Sequence, residues 1–345
     1  MVVSFMGKLL NKKKLPFIVF LLINMFGNCQ DNVFVINGPM SNEHDFKAGN
    51  VLYFDSLYNV ELIQDVLYNY SNGYYESLAS VKDIGKLFRP NKGQLEMKMD
   101  IYRPISRISE KCPTILFFHG GAFFFDSKES HSIVKWCRRF AARGYVAVSV
   151  NYRLSIRLGK EAMREEEQDA IFDAFSAINF LVTNKDIYSI DVDNLYLAGT
   201  SAGAMIALQV PFSCQQQGFS IRAVASMWGS VPDTNLFSST YPSLIIFHGG
   251  KDKTVPPDYN CYFYNLDYFG WLSKYFIDKK YGSIPIHRKL RELGVDSRFY
   301  FFPSLKHKLH WDKRRRTENE YFYFIDECIA SFFLEKMSKH ESTYD

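Results

Sequence analysis

Residues 195–204 read Leu195-Tyr196-Leu197-Ala198-Gly199-Thr200-Ser201-Ala202-Gly203-Ala204. A short apolar run stops at a glycine, presents one serine, and passes through Ala202, Gly203, Ala204 and Met205 into a helix start. This is the strand, sharp turn and helix of a G-x-S-x-G elbow. So tight a turn brings strand and helix backbones together at Gly199 and Gly203, where side chains would obstruct them. Unpaired N–H groups at the helix start favour negative charge beside Ser201. A short motif of this kind gains its weight from partners elsewhere in the chain and from their order.

Upstream of the elbow, Leu95, Met97, Met99 and Ile101 alternate with polar residues and end at Tyr102-Arg103-Pro104, the pattern of a half-buried edge strand. Thr114 to Phe118 is a continuous apolar run, as expected of a strand covered on both faces, and it ends at His119-Gly120-Gly121-Ala122. A helix is predicted over 130–143, a buried strand over 146–150, and a helix within 162–183 from the spacing of Ile171, Phe172, Phe175, Ile178, Leu181 and Val182. Downstream, 223–227, 244–247 and 297–302 read as strands. Thr317-Glu318-Asn319-Glu320 reads as a capping box for a closing helix bearing Phe322, Ile325, Ile329 and Phe332. Strands alternating with helices predict an α/β fold, a mostly parallel central sheet with helices on both faces, with active residues at the carboxyl ends of strands.

Serine is a weak nucleophile near neutral pH and needs a base, which in turn needs an orienting group. Asp252 follows the strand 244–247 in His248-Gly249-Gly250-Lys251-Asp252, where a carboxylate can face the elbow. His307 and His310 both follow the last strand, and either can serve as base. The order Ser, Asp, His is the one a G-x-S-x-G elbow requires. Gly121 and Ala122, after a buried strand, offer backbone N–H groups for an oxyanion, with Ala202 as a third donor. His119 is expected to brace that loop. Phe123, Phe124 and Phe125 come next, with Phe123 and Phe124 as substrate-binding candidates.

With these parts in order, the chain resembles the α/β-hydrolase superfamily, and within it carboxylesterases of the hormone-sensitive-lipase type and the related acetyl-xylan and feruloyl esterase group. The resemblance rests on Asp100-Ile101-Tyr102-Arg103-Pro104, His119-Gly120-Gly121-Ala122-Phe123, Asn151-Tyr152-Arg153-Leu154, Asp169-Ala170, the elbow, His248 to Asp252, and Tyr281-Gly282-Ser283 with the helix through Ile286, Leu290 and Leu293. It spans about residues 94–335. It implies Ser201 as nucleophile, Asp252 as acid and His307 as base, with no metal and no organic cofactor. Ser304-Leu305-Lys306 stands where the family has small residues, which leaves His310 open. An insertion, 258–280, carries Tyr259, Tyr262, Phe263, Tyr264, Tyr268, Phe269 and Trp271. It reads equally as a lid or pocket wall and as a satellite helix.

Residues 1–29 read as a signal peptide, with Lys8, Lys12, Lys13 and Lys14 before an apolar run from Leu15 to Phe26. Cleavage before Gln30 gives a secreted, periplasmic or extracellular protein. Lipidation of Cys29 or an uncleaved signal would instead give a membrane anchor. Those four lysines account for the whole formal charge of +4, so the remainder is neutral and offers nothing for a nucleic-acid partner. The basic run Lys313 to Arg316 reads as a solvated loop. Five of the six cysteines lie beyond residue 29, in no zinc spacing, and one or two disulfides are compatible with export. Residues 30–93 are expected to form an extension wrapping the core, with short helices over 56–70 and 76–88, and 94–345 the catalytic domain. The expected function is hydrolysis of short-chain or aryl acyl esters, on a small-molecule or carbohydrate-linked substrate. An amidase, formamidase or peptidase on the same residues is the first rival, and a non-catalytic binding protein the second.

Overall fold

The computed structural model describes residues 32–37, 52–73, 93–107, 110–154, 159–213, 218–261 and 278–337. The chain divides into two compact units, Met1–Val33 and Phe34–Asp345. Its elements run β1 (Val33–Val35), β2 (Val60–Gly73), β3 (Gly93–Pro104), β4 (Cys112–Phe118), α1 (His131–Ala142), β5 (Val146–Val150), α2 (Lys160–Thr183), α3 (Lys185–Tyr188), β6 (Ile190–Thr200) and α4 (Ala202–Ser213). There follow β7 (Ile221–Met227), β8 (Ser243–Gly249), β9 (Tyr259–Cys261), β10 (Lys279–Tyr281), α5 (Ser283–Glu292), β11 (Ser297–Phe302), β12 (Trp311–Asp312), β13 (Thr317–Glu318) and α6 (Glu320–Lys336).

Nine strands form one sheet in the order β1-β11-β8-β7-β6-β4-β5-β3-β2. From β11 to β5 the neighbours are parallel, and β3 and β2 are added antiparallel. β4 and β5 are buried along their whole length because helices cover both faces. On one face α1 and α6 lay down an aromatic layer, with the ring of Trp136 stacked between Phe117 and Phe322 and the ring of Phe333 stacked on Tyr196. α4 is buried over Ala202–Pro211, consistent with a sequence apolar on every side. After β4 the chain steps to β5 on one flank, then crosses back to β6 on the other and continues outward through β7, β8 and β11. The crevice above the carboxyl ends of β4 and β6 is therefore the topological switch point, where open α/β sheets form their sites.

The structure corrects several of these expectations. Residues 60–73 are a strand, not a helix. Val60, Leu62, Val66, Tyr68 and Tyr70 suit a pleated surface, but register shifts between Ile63 and Val66 and between Leu67 and Asn69 break the twofold alternation and imitate helical spacing. Asp65 sits in the first shift at φ 56°, its N–H donating to Asp100 Oδ1 at 2.9 Å. β3 is accordingly second from the edge, because β2 covers it. The extension thus supplies sheet strands: besides β2 at one edge, Phe34 stacks on Tyr300 at the other and Ile36 N–H donates to Phe301 O at 2.9 Å.

The closing helix is capped by Asn319, whose Oδ1 accepts from Tyr321 N–H at 3.0 Å. Thr317 is not the cap, since Thr317 and Glu318 pair with Asp312 and Trp311. Glu318 points inward instead, to His131, Ser132 and Lys135. Phe172 lies on the exposed side of α2 beneath the Arg153 guanidinium. Cys112, Cys137 and Cys328 are buried free thiols rather than disulfide partners. Residues 1–29, 76–88, Cys214 and the middle of the 258–280 insertion lie outside the described residues, while β9 and β10 pair antiparallel at the base of the insertion. Among the described residues no helix is long and apolar enough to cross a membrane.

Candidate active site

β6 ends at Thr200 and α4 begins at Ala202, so Ser201 alone makes the turn, at φ 54°. A Cβ on Gly203 would come within 2.1 Å of Phe118 O, and one on Gly199 within 2.2 Å of Gly203 O. Only hydrogen atoms fit there, and the elbow is locked between β4, β6 and its own helix. Ser201 N–H donates to Met227 O at 2.9 Å, which ties the turn to β7. Ala122, Phe123, Trp228 and Lys308 also have positive φ, so left-handed backbone gathers around this serine.

The acid loop and the histidine loop leave neighbouring parallel strands, β8 and β11, and are stitched together. Gly250 N–H donates to Phe302 O and Lys251 N–H to Leu305 O, each at 2.8 Å. A Cβ on Gly249 would come within 2.5 Å of Leu305 O, which is the reason for glycine after His248. This approach carries Asp252 to His307. His307 Nδ1 lies 2.7 Å from Asp252 Oδ2, and His307 Nε2 lies 3.0 Å from Ser201 Oγ. An ionised carboxylate only accepts, so Nδ1 carries the proton and Nε2 is free to accept from the serine hydroxyl. Asp252 Oδ1 accepts the N–H groups of Thr254 and Val255 at 2.8 and 3.0 Å. Burial alone would raise the Asp252 carboxyl, but hydrogen bonds from His248 and His307 outweigh it and hold the group well below the usual carboxylate range.

His310 is elsewhere. Its Nε2 is 3.1 Å from Ser132 Oγ and its ring stacks on Trp228 at 5.0 Å. Burial pushes it down to about 3, so it is neutral and turned away from Ser201. Trp228 separates the two histidines, edge-on to His307 and flat against His310, and of the two it is His307 that reaches Ser201 and Asp252.

Gly121 (φ 106°) lets the loop after β4 turn back, and its carbonyl accepts from Phe124 and Phe125 N–H. Tyr152 Oη donates to the carbonyls of His119 and Gly120, while His119 stacks on Tyr152 and donates from Nδ1 to Gly120 O at 2.8 Å. The next residue, Arg153, holds α2 through Asp173 and Asp169. Ala122 and Ala202 line the same cavity as Ser201, together with Phe123, Met205 and Val255. Phe124 does not line it. That ring is half-buried and packs edge-on against Phe125.

Two compartments meet at Ser201. The one just described measures about 40 Å³ and is bounded by Glu167 and Lys280, a buried ion pair. The other measures about 230 Å³ and is lined by polar groups such as Asp126, Ser130 and His131, and by Trp228 and Trp311. Sequence reasoning missed Glu167, Lys280 and Trp228. Trp228 follows the end of β7, but Glu167 lies within α2 and Lys280 within β10, where nothing local marks them, and topology alone brings them to the serine.

The sheet order, the elbow at its switch point and a match of residues 99–227 to the BD-FAE family model converge. The chain has the α/β-hydrolase fold. Among solved structures it resembles the apo form of Thermogutta terrifontis esterase 2, at TM-score 0.54 and 18% identity, covering 82% of this chain and 97% of that one. Among curated proteins it is similar to Probable carboxylesterase 2 of Arabidopsis thaliana, 34% identical over 44% of this chain and 48% of the relative. It is also similar to Gibberellin receptor GID1B of the same plant, 31% identical over 36% of this chain and 33% of the relative. The chain therefore spans less than half the length of the curated relatives it matches.

Proposed function

We propose that this α/β-hydrolase is a serine carboxylic-ester hydrolase. The observation that carries the reading is the continuous hydrogen-bonded series Ser201, His307, Asp252 at the switch point. His307 Nε2 takes the Ser201 proton as Oγ attacks the ester carbonyl. The developing oxyanion lies against the N–H groups of Gly121, Ala122 and Ala202, a set in which one donor is typically worth about 10² to 10³ in rate. Asp252 keeps the imidazolium oriented, and His307 returns the proton to the leaving alcohol. Water repeats the sequence on the acyl-enzyme.

The compartments suggest which esters. The small one is lined by Ala122 and Ala202, two of the three oxyanion donors, and takes the acyl group. Since a water needs about 10 to 15 Å³ on such a measure, it has room for about three such groups, which favours acetyl to butyryl over a feruloyl ring. The larger, polar one adjoins the histidine loop through Lys308 and Trp228, the side from which His307 must reach the leaving oxygen. A hydroxylated alcohol, such as an acylated sugar, suits it. Export through residues 1–29 belongs to the same reading. Hydrolysis of p-nitrophenyl acetate, butyrate and decanoate, methyl ferulate, an acetylated sugar and p-nitroacetanilide tests it. Acetate and butyrate are expected to lead. Preference for decanoate or ferulate overturns the acyl assignment, faster anilide cleavage favours an amidase, and cleavage of none favours the binding role that the receptor relative illustrates.

A further inference from the structure

Two pieces of sequence remain unused by Ser201, His307 and Asp252: the histidine that opens His248 to Asp252, and the serine of Tyr281-Gly282-Ser283. They meet beneath the acid. His248 is fully buried at the end of β8, its Nε2 2.8 Å from Val255 O and 3.3 Å from Asp252 Oδ2. Its Nδ1 is 2.6 Å from Ser283 Oγ, the first residue of α5, which is itself buried. A carbonyl and an ionised carboxylate only accept, so Nε2 must carry the proton. Nδ1 is then the acceptor, and the Ser283 hydroxyl donates to it.

We propose that His248 and Ser283 are positioning residues, which act through Asp252 to hold His307 in register with Ser201. This rests on the reading of Ser201 as nucleophile. Asp252 Oδ2 receives the His307 N–H at 2.7 Å and lies 3.3 Å from His248 Nε2, whose N–H it shares as the longer acceptor beside Val255 O, while Oδ1 receives two backbone N–H groups. With four donors around it, the carboxylate has a single rotation about its terminal bond. Val255 O and Asp252 Oδ2 select this tautomer, because a proton on Nδ1 would leave Nε2 lone-pair to lone-pair with both, and Ser283 completes it by donating to Nδ1. Without the second imidazole, Oδ2 is held by His307 alone, and the pair it orients is free to swing.

The test compares the full chain with His248→Phe, His248→Gln and Ser283→Ala, with Ser201→Ala as blank. Three quantities are read: kcat and KM on p-nitrophenyl acetate, the rate of Ser201 labelling by a fluorophosphonate, and thermal unfolding. A glutamine places its amide N–H near the position of Nε2. His248→Phe is expected to lower kcat and labelling by about 30-fold with KM within about threefold, and His248→Gln to return to within about fivefold of the parent. Ser283→Ala should lose about fivefold in kcat alone. A folded His248→Phe variant with undiminished kcat overturns the proposal, as does a glutamine variant no better than phenylalanine. Should the phenylalanine variant not fold, Ser283→Ala decides, since it leaves the ring in place. A parent that labels but cleaves no ester sinks only the ester reading, and labelling rates still decide the role of His248. A parent that does neither overturns both.

Discussion

At the scale of the residue, the two histidines after β11 show how burial assigns chemistry. His307 stands between a carboxylate and a hydroxyl. His310 is packed between Trp136 and Trp228, with Ser132 standing between its Nε2 and the Glu318 carboxylate. Ser201→Ala and His307→Ala are therefore expected to lose about 10³-fold or more in kcat, and His310→Phe far less, by ester hydrolysis. His310 should instead appear in stability. Burial, aided by Lys308, takes it down to about 3, whereas in the unfolded chain it titrates near about 6.5. Above that value both states are neutral and its packing contributes in full. Below it the unfolded chain binds a proton that the folded chain refuses, so stability falls as pH drops toward about 3. His119, also lowered by burial, acts in the same sense. Unfolding followed from pH 7 to pH 4 should show a slope that His310→Phe reduces by up to about 1.4 kcal/mol per pH unit. An unchanged slope would contradict this assignment.

At the scale of the element, the joints are few and specific. Gly203→Ala forces a methyl into the carbonyls of Phe118 and His119. The elbow cannot relax without moving β4, so loss of soluble protein or of Ser201 labelling is expected, whereas Gly218→Ala, with open space around it, should behave as the parent. α1 and α6 are joined by Arg139 and Arg143 on Asp326, whose carboxylate is fully buried and, despite that burial, held below its ordinary range by the two guanidinium groups. Removing one partner of such a pair leaves buried charge uncompensated, so Asp326→Ala should cost about 3 to 5 kcal/mol in denaturant unfolding. Asn319→Ala removes one cap on α6 and should cost about 1 kcal/mol. These elements were legible in the chain wherever one period ran undisturbed: the apolar runs of β4 and β5, the helical face of α1 and the elbow. β2 was not, because its bulges erase the alternation by which a strand is recognised. The cap of α6 was displaced because Glu318 has tertiary partners that compete with a local capping role.

At the scale of the whole molecule, the segment before Gly93 completes the sheet. Tyr68 Oη donates to Asn151 O and Ser71 Oγ to Asp173, so β2 braces the loop after β5 and the middle of α2 as well as covering β3. A chain begun at Gly93 would expose β3 as an open edge bearing Met97, Met99 and Ile101, and edges of that kind pair with other chains. It is expected to sediment as aggregate, or to lose activity with KM least affected, and a monomeric, fully active truncation would overturn that role for β2.

What the sequence by itself determined is the fold class, the elbow, and the order of serine, acid and histidine, because each depends on local period or on glycines that a tight approach demands. Which histidine stands beside Ser201, His307 or His310, was decided by tertiary structure alone, since both leave the same strand end and differ only in what packs around them. The same holds for the two unequal compartments and for the second histidine on Asp252. Residues as far apart as Glu167 in α2 and Lys280 in β10, or His248 at the end of β8 and Ser283 at the start of α5, become neighbours only when helices and connections pack around the carboxyl ends of the parallel strands. Linear spacing carries no record of that crossing.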